Sequence, residues 1–181
     1  DERETRRLID WQLLEAGWEA DSEVLRFSRG VRPEKGRNLA IAEWPTEGGL
    51  ADYVLFCGLE AIAVVEAKRQ SNDVSGAIDQ AKRYSSELML FDGARFIDGF
   101  GGAEYRVPFV FATYGREFLE LLLTKSGFWF CDLRDPQNLR RPLKNWYGPE
   151  DLRDTLIQDL DAAQARLAVE PFLASFGLRP Y

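Results

Sequence analysis

Two short apolar stretches decide the fold of this chain: GLADYVLF at residues 49–56 and IAVVEAKR at residues 62–69. Each has the length of a buried strand, and the few residues between them are enough for a turn, so we predict a β-hairpin. The first strand carries Asp52, and the second ends in Glu66 and Lys68. Two carboxylates and an ammonium group at one sheet edge are costly unless a charged group, such as a metal ion, lies among them. The hairpin is therefore a candidate site for a metal-dependent phosphodiesterase.

The spacing of these charged residues supports a shared site. Glu66 and Lys68 are two apart in a strand, so they project to one side of the sheet. Asp52 comes close to Glu66 if the two strands pair across the turn at residues 57–61. Two carboxylates suit Mg2+, which keeps several waters and completes its shell with phosphate oxygens. A Glu and a Lys in this pattern more often form a surface ion pair, but their combination with Asp52 on two apolar strands favours a functional site.

A third element of the candidate site follows on the next predicted helix, at residues 76–91. Gln80 and Tyr84 are four apart and share one face of this helix. A Gln amide and a phenol hydroxyl can each contact a phosphate or the edge of a base. Tyr84 also fits the apolar stripe of the helix, where it would be a core residue with a polar tip. Outside a functional site, Gln80 would be a solvated side chain.

The remaining elements predict an α/β fold. A helix is expected over residues 1–18, with an apolar stripe made by Leu8, Trp11, Leu14 and Trp18. Another helix is expected to begin near Pro149. Strands or strand-like segments are expected at 23–28, 39–44, 108–113 and 128–132, and a loop at 135–147. The leucine-rich segment 116–123 fits either a helix or a strand, and we favour a strand paired with 128–132. This order predicts a mixed central β-sheet flanked by helices.

Composition excludes several classes of enzyme. The 181 residues contain no histidine, which removes Ser-His-Asp hydrolases, Cys-His proteases and histidine-ligated zinc hydrolases. No P-loop or dinucleotide-binding glycine motif occurs, and the two cysteines are too few for a four-cysteine zinc site. No apolar run is long enough to span a membrane, so we expect a cytoplasmic protein. The net charge of −7 disfavours a tight free-standing nucleic-acid binder but is compatible with a nuclease whose DNA is delivered by a partner.

The motifs carry a resemblance to a known family. Asp52, the Glu66-Ala67-Lys68 triplet and the Gln80-x-x-x-Tyr84 pattern resemble the PD-(D/E)xK nuclease superfamily, in the branch that has a QxxxY motif. Alanine at position 51 replaces the proline of the nominal motif. More narrowly, the chain resembles the N-terminal nuclease domain of type I restriction enzyme R (HsdR) subunits. The matching segments outside the three motifs are ERETR at residues 2–6, EAGW at 15–18 and PFVFAT at 108–113.

The resemblance implies a restriction-endonuclease-like core and an enzymatic activity. The chain would be part of a type I site-specific deoxyribonuclease, a Mg2+-dependent endonuclease that hydrolyses double-stranded DNA. Asp52 and Glu66 would bind the metal, and Lys68 would assist the attacking water. Gln80 and Tyr84 would position the DNA or the lysine.

Further charged residues have open roles. The superfamily often adds a metal-proximal acid from its first helix, and both Glu2 and Glu4 qualify. Basic residues are also concentrated in two loops, where they would face DNA or a partner, or would be solvated loop charges. They are Arg29, Arg32, Lys35 and Arg37 in the first loop, and Arg140, Arg141 and Lys144 in the second.

The resemblance also implies a larger machine. Residues 1–170 would be the nuclease domain, and residues 171–181 a linker into a following motor domain that is absent from this chain. ATP would be used by that motor, and the partners would be double-stranded DNA and the specificity and methyltransferase subunits of a restriction complex, with no membrane. Two alternatives stay open: a stand-alone repair or junction nuclease of the same fold, and a non-catalytic docking module.

Overall fold

The computed structural model describes residues 2–68, 74–115 and 127–158. Within these residues, three helices accompany a sheet of eight strands. The helices are α1 (Glu2–Glu15), α2 (Val74–Ser86) and α3 (Pro149–Ile157), and one turn of 3₁₀ helix covers Phe27–Arg29. The strands are β1 (Glu19–Ala20), β2 (Asn38–Thr46), β3 (Gly49–Cys57), β4 (Glu60–Ala67), β5 (Arg95–Phe96), β6 (Phe109–Thr113), β7 (Phe128–Asp132) and β8 (Arg141–Leu143).

The sheet is mixed. Its strand order is β1-β2-β3-β4-β6-β7-β8, and β5 pairs with the beginning of β4. Strands β2, β3 and β4 are antiparallel to one another, β4 and β6 are parallel, and β6, β7 and β8 are again antiparallel. Parallel neighbours need a crossover connection, and α2 lies between β4 and β6 in the chain and packs on both. The predicted α/β fold is confirmed as a curled mixed sheet flanked by helices, consistent with a restriction-endonuclease-like core.

The predicted hairpin forms the middle of the sheet. Strands β3 and β4 pair with Tyr53 opposite Val65, and Gly58 takes a left-handed conformation (φ +61°) in the turn between them. The side chains from Tyr53 to Phe56 and from Ala61 to Val65 are at most 1% exposed. Successive side chains of a strand point to opposite faces, so continuous burial requires cover on both faces of the sheet. This explains why both strands are uninterrupted apolar runs.

Each face of the sheet has its own cover. On one face, Trp44, Phe56 and Val64 belong to a buried cluster that also contains Ile78 of α2. The opposite face is aromatic, and its rings include Phe111, whose centroid lies 5.1 Å from those of Phe130 and Trp146. The helix α1 lies against this second face.

Polar groups attach α1 to the aromatic face. Gln12 Nε2 donates to the carbonyl of Gly115 at 3.1 Å, and the Tyr53 hydroxyl donates to Asp10 Oδ1 at 2.9 Å. Ser22 donates to the other Asp10 oxygen through both its backbone N–H and its hydroxyl. Buried polar side chains are tolerated when they are hydrogen-bonded in this way.

The predicted apolar stripe of α1 is wrong for three of its four residues. Leu8, Trp11 and Leu14 are 44%, 54% and 52% exposed, whereas Ile9 and Leu13 are fully buried. Apolar residues occur on two sides of this helix, so their spacing alone cannot select the buried side. The hydrogen bonds of Asp10 and Gln12 to distant parts of the chain select it instead.

Other predicted elements differ in position. The segment 23–28 is not a strand: Arg26 makes a single bridge to Ala42, and a 3₁₀ turn follows. Helix α2 ends at Ser86 and not at residue 91. The expected loop 135–147 contains the short strand β8, which pairs with β7. The predicted strand 116–123 lies outside the described residues.

The chain divides into two compact units, Asp1–Pro149 and Glu150–Tyr181. The described strands all lie in the first unit, and the described part of the second, residues 150–158, contains all of α3 except Pro149. The predicted boundary between residues 170 and 171 lies outside the described residues. In the described part of the chain, no helix is long and apolar enough to cross a membrane.

Candidate active site

Adjacent strands bring Asp52 and Glu66 to one end of the hairpin. The antiparallel register places Tyr53 opposite Val65, so the next residues along are Asp52 on β3 and Glu66 on β4. The backbone N–H of Ala67 donates to Asp52 Oδ2 at 2.8 Å. The side chain of Asp52 is 20% exposed, which leaves this carboxylate at the border between the core and solvent.

Glu66 is a buried carboxylate with one oxygen that has no hydrogen-bond partner. It is 3% exposed. Its Oε1 accepts a hydrogen bond from Lys68 Nζ at 2.8 Å, while its buried Oε2 accepts none. Burial, together with the nearby charge of Asp52, raises the pKa of Glu66 to about 7, and the hydrogen bond from Lys68 opposes this rise. A buried oxygen without a hydrogen-bond partner costs free energy in a folded protein, and it therefore indicates that the oxygen binds a ligand such as an ion.

Lys68 joins the hairpin to α2. Its Nζ donates to Glu66 Oε1 and to Gln80 Oε1, the latter at 2.5 Å, and Gln80 Nε2 donates to the Tyr84 hydroxyl at 3.0 Å. A relay of side chains therefore runs from Tyr84 to Glu66. An ammonium group has three N–H donors, so the two bonds to Glu66 and Gln80 leave a third direction for a ligand.

Tyr84 is both a core residue and a hydrogen-bond partner within the candidate site, the two roles that the sequence left open for it. Its side chain is 7% exposed and belongs to the core cluster around α2. Its hydroxyl is nevertheless tied to Gln80, so the ring packs in the core while its polar tip holds the amide. The structure thus brings together all five candidate residues: Asp52, Glu66, Lys68, Gln80 and Tyr84.

Two residues next to the site were not found from the sequence, Arg6 of α1 and Glu43 of β2. Arg6 donates through Nη2 to Asp52 Oδ1 at 3.2 Å and through Nη1 to Glu43 Oε1 at 3.0 Å. Glu43 lies at an irregular position of β2, between the pairs that Ala42 and Trp44 make with β3. Its φ of +53° is unusual for a residue other than glycine and costs about 1–3 kcal/mol. A glutamate inside the apolar run LAIAEW was the available signal for this position.

The donor set fits a hard divalent cation. Carboxylate oxygens are the protein ligands that Mg2+ prefers, and Glu66 offers a buried oxygen with no other partner. Residues 2–68, 74–115 and 127–158 contain no group of three or more His, Cys, Asp or Glu placed to hold a metal. Two carboxylates are enough for Mg2+, since it usually keeps several waters and takes further oxygens from a phosphate. Of the two acids considered on α1, Glu4 is exposed, and the side chain of Glu2 lies outside the described part.

Comparison with known proteins gives two matches. Residues 19–156 match the family model described as the second domain of the type I restriction enzyme EcoKI endonuclease subunit. The chain is also similar to the type I restriction enzyme EcoKI endonuclease subunit of Escherichia coli (strain K12), with 40% identity over 207 aligned positions. That alignment covers 99% of this chain and 18% of the relative, so the chain spans less than a fifth of the length of the protein it resembles. The search of solved structures found no match.

Proposed function

This chain belongs to the family of type I restriction enzyme endonuclease subunits, and we propose that it is a Mg2+-dependent endonuclease domain that hydrolyses phosphodiester bonds of double-stranded DNA. The observation that carries the proposal is the buried, partnerless Oε2 of Glu66 beside Asp52, with Lys68 on the other oxygen of the same carboxylate. The name of the relative describes an endonuclease subunit, and the proposal extends that activity to the site in this chain.

Each residue of the site has a proposed task. Asp52 and Glu66 would hold the cation, which lowers the pKa of a bound water and stabilises charge on phosphate oxygens. Lys68 donates a hydrogen bond to the attacking water or to a phosphate oxygen, which offsets the charge that develops in the transition state. Gln80 fixes the position of the Lys68 ammonium group, and Tyr84 fixes the Gln80 amide.

The proposed reaction is hydrolysis. The water oxygen loses a proton and forms a new bond to phosphorus, one existing P–O bond breaks, and the leaving oxygen takes up a proton, so that the net reaction consumes one water. No nucleotide or redox cofactor takes part in this step. In the proposed machine, ATP is used by a motor domain outside this chain.

The proposed partners follow from the resemblance to type I restriction enzyme R subunits. We propose that the DNA is delivered by an ATP-driven motor and that the chain works in the cytoplasm with the specificity and methyltransferase subunits of a restriction complex. The net charge of −7 supports delivery, because an acidic surface gives weak affinity for free DNA.

The test is the substitution Asp52→Asn, which keeps the shape of the side chain but removes its charge. Cleavage should fall by at least about 100-fold. The affinity for Mg2+ or Mn2+, measured by calorimetric titration, should also fall strongly. The matched control is Asp98→Asn, since Asp98 is exposed; both properties should stay unchanged. Circular dichroism should show the same fold for all three proteins.

Two outcomes would contradict the proposal. If Asp52→Asn and Lys68→Met both cleave DNA as wild type does, the site is elsewhere. If the wild-type chain binds neither Mg2+ nor Mn2+, or if the binding does not depend on Asp52 and Glu66, the domain is a docking module.

A further inference from the structure

A cavity of about 190 Å3 opens between α1 and the residues around the 3₁₀ turn. Its lining is strongly basic, with five arginines against a single glutamate and a serine: Arg3, Arg6, Arg7, Arg26, Arg29, Glu23 and Ser22. This concentration of positive charge occurs in a chain whose net charge is −7. A concave site lined mainly by one sign of charge attracts ions of the opposite sign.

Local structure explains why these arginines converge. Arg3, Arg6 and Arg7 are three and four residues apart on α1, so they share one face of that helix. The other two, Arg26 and Arg29, flank and end the 3₁₀ turn that faces it. The helix and the turn therefore supply the two walls of the arginine cavity.

The arginine cavity has a fixed floor. Arg6 and Arg26 are 16% and 29% exposed, and Glu43 holds both of them, at 3.0 Å and 3.1 Å. Arg26 Nε also donates to the carbonyl of Ser22 at 3.0 Å. Guanidinium groups held in this way lose little conformational freedom when they bind an anion.

The rim is open to solvent. The side chains of Arg3 and Arg7 are 73% and 68% exposed and lie 3.3 Å and 3.6 Å from a carboxylate oxygen of Glu23. Exposed ion pairs of this kind contribute little free energy. An incoming anion can therefore replace Glu23 at small cost.

The floor of the arginine cavity is directly connected to the candidate active site. Arg6 donates to Asp52 Oδ1 at 3.2 Å, so one guanidinium group touches both the cavity and a proposed metal ligand. A DNA strand placed at Asp52 and Glu66 carries further phosphates on either side of the one that is cleaved. Arginine presents planar donors that match the oxygens of a phosphate.

We propose that the arginine cavity is a subsite for a DNA backbone phosphate next to the scissile one. The identity of the ligand rests on the proposed nuclease function. Phosphate contacts fix the position of a duplex and carry no sequence information, so this subsite would set the register of the strand over the metal site for any DNA sequence.

The first test is Arg29→Gln in the whole purified chain, measured by the fluorescence anisotropy of a short labelled duplex with EDTA present to prevent cleavage. Arg29 is exposed at the rim, so its loss should leave the fold intact. We expect DNA affinity to fall about tenfold, and the slope of log affinity against log salt concentration to decrease by about 0.9, the value for one phosphate contact.

The matched control is Arg95→Gln, which removes the same charge from an exposed arginine. Arg95 pairs with Glu60 at the beginning of β4, whereas Glu66 lies near the end of that strand. Its affinity and salt slope should equal those of the wild type.

A second test should raise the DNA affinity instead of lowering it. Glu23→Gln removes the carboxylate that occupies the rim, so DNA should bind about threefold more tightly. The control is Glu60→Gln, which frees Arg95 from an equivalent exposed ion pair and should leave DNA affinity unchanged.

The outcomes separate this inference from the proposed function. Equal affinity and salt slope for Arg29→Gln and Arg95→Gln would overturn the phosphate subsite, even where Asp52→Asn abolishes cleavage. The same holds if the arginine cavity binds an acidic protein segment, because DNA affinity would then not respond to Arg29. Full cleavage by Asp52→Asn would overturn the active site alone and would leave the loss of binding in Arg29→Gln in place.

Discussion

Glu66 shows how a residue of the candidate site opposes stability at the scale of a single side chain. Its carboxyl group is almost fully buried and near the charge of Asp52, and its pKa is raised to about 7. At neutral pH the charged form is therefore held in an environment that disfavours it, although Lys68 partly compensates. A cation between the two carboxylates would remove this disadvantage.

We predict that Glu66→Gln stabilises the metal-free chain at high pH. The folded-state pKa of about 7 lies above the unfolded value of 4.5, so the folded protein binds the extra proton between these pH values. The stability associated with this proton is fully present below pH 4.5 and is lost as the pH rises through 7. Since glutamine does not ionise, the variant should be more stable than the wild type by up to about 3 kcal/mol at pH 8 and equal to it near pH 4.5.

Urea unfolding in EDTA at the two pH values measures this difference. The control is Glu60→Gln, whose side chain is 41% exposed; its difference in stability from the wild type should be the same at both pH values. A Glu66→Gln variant that is less stable than wild type at pH 8 would show that the ion pair with Lys68 outweighs burial.

At the scale of elements, the two central strands and the first helix were predictable to different degrees. Strands β3 and β4 follow from continuous apolar runs around a short turn, and their register decides which polar residues meet. Helix α1 also exists as predicted, but its buried side is Ile9 and Leu13 and not Leu8, Trp11 and Leu14. A strand that is buried on both faces buries its side chains whichever way it faces. A helix with apolar residues on two sides can bury either side, so its sequence does not decide which side packs on the sheet.

We predict that neighbouring leucines of α1 differ in their contribution to stability. Leu13 is fully buried and Leu14 is 52% exposed. Leu13→Ala should lower the free energy of unfolding by about 2–5 kcal/mol, because it leaves a cavity. Leu14→Ala should change it by no more than about 0.5 kcal/mol.

Urea denaturation followed by tryptophan fluorescence compares the two variants. The substitutions remove the same atoms at adjacent helix positions, so differences in helix propensity cancel. Equal losses in the free energy of unfolding, or a larger loss for Leu14→Ala, would contradict the burial of Leu13 and would support the apolar stripe predicted from the spacing.

At the scale of the whole molecule, charge is distributed unevenly. The chain is acidic overall, with 30 acidic and 23 basic residues, yet five arginines line one cavity next to the candidate active site. Such a distribution is compatible with the proposal that DNA is delivered to this domain by a partner. The membership in the endonuclease subunit family confirms the resemblance found in the motifs, while the motor, the metal and the partner subunits stay predictions.

We predict that cleavage by this chain has no sequence preference. The proposed contacts are made to the cleaved phosphate and to the backbone, which do not report base identity. Sequencing the ends produced from a long random DNA with Mg2+ present should give base frequencies equal to those of the substrate. A strong consensus around the cut would show that the chain reads bases itself.

The sequence by itself determined the hairpin and the meeting of Asp52, Glu66 and Lys68, because these depend on alternation along two strands joined by one short turn. The same holds for Gln80 and Tyr84, which share a helix face through their spacing. Only the tertiary structure decided that Gln80 meets Lys68, that Arg6 reaches Asp52 across 46 positions, and that five arginines surround one cavity. Those contacts depend on how a helix is rotated and placed against the sheet, and no local period in the sequence specifies that rotation.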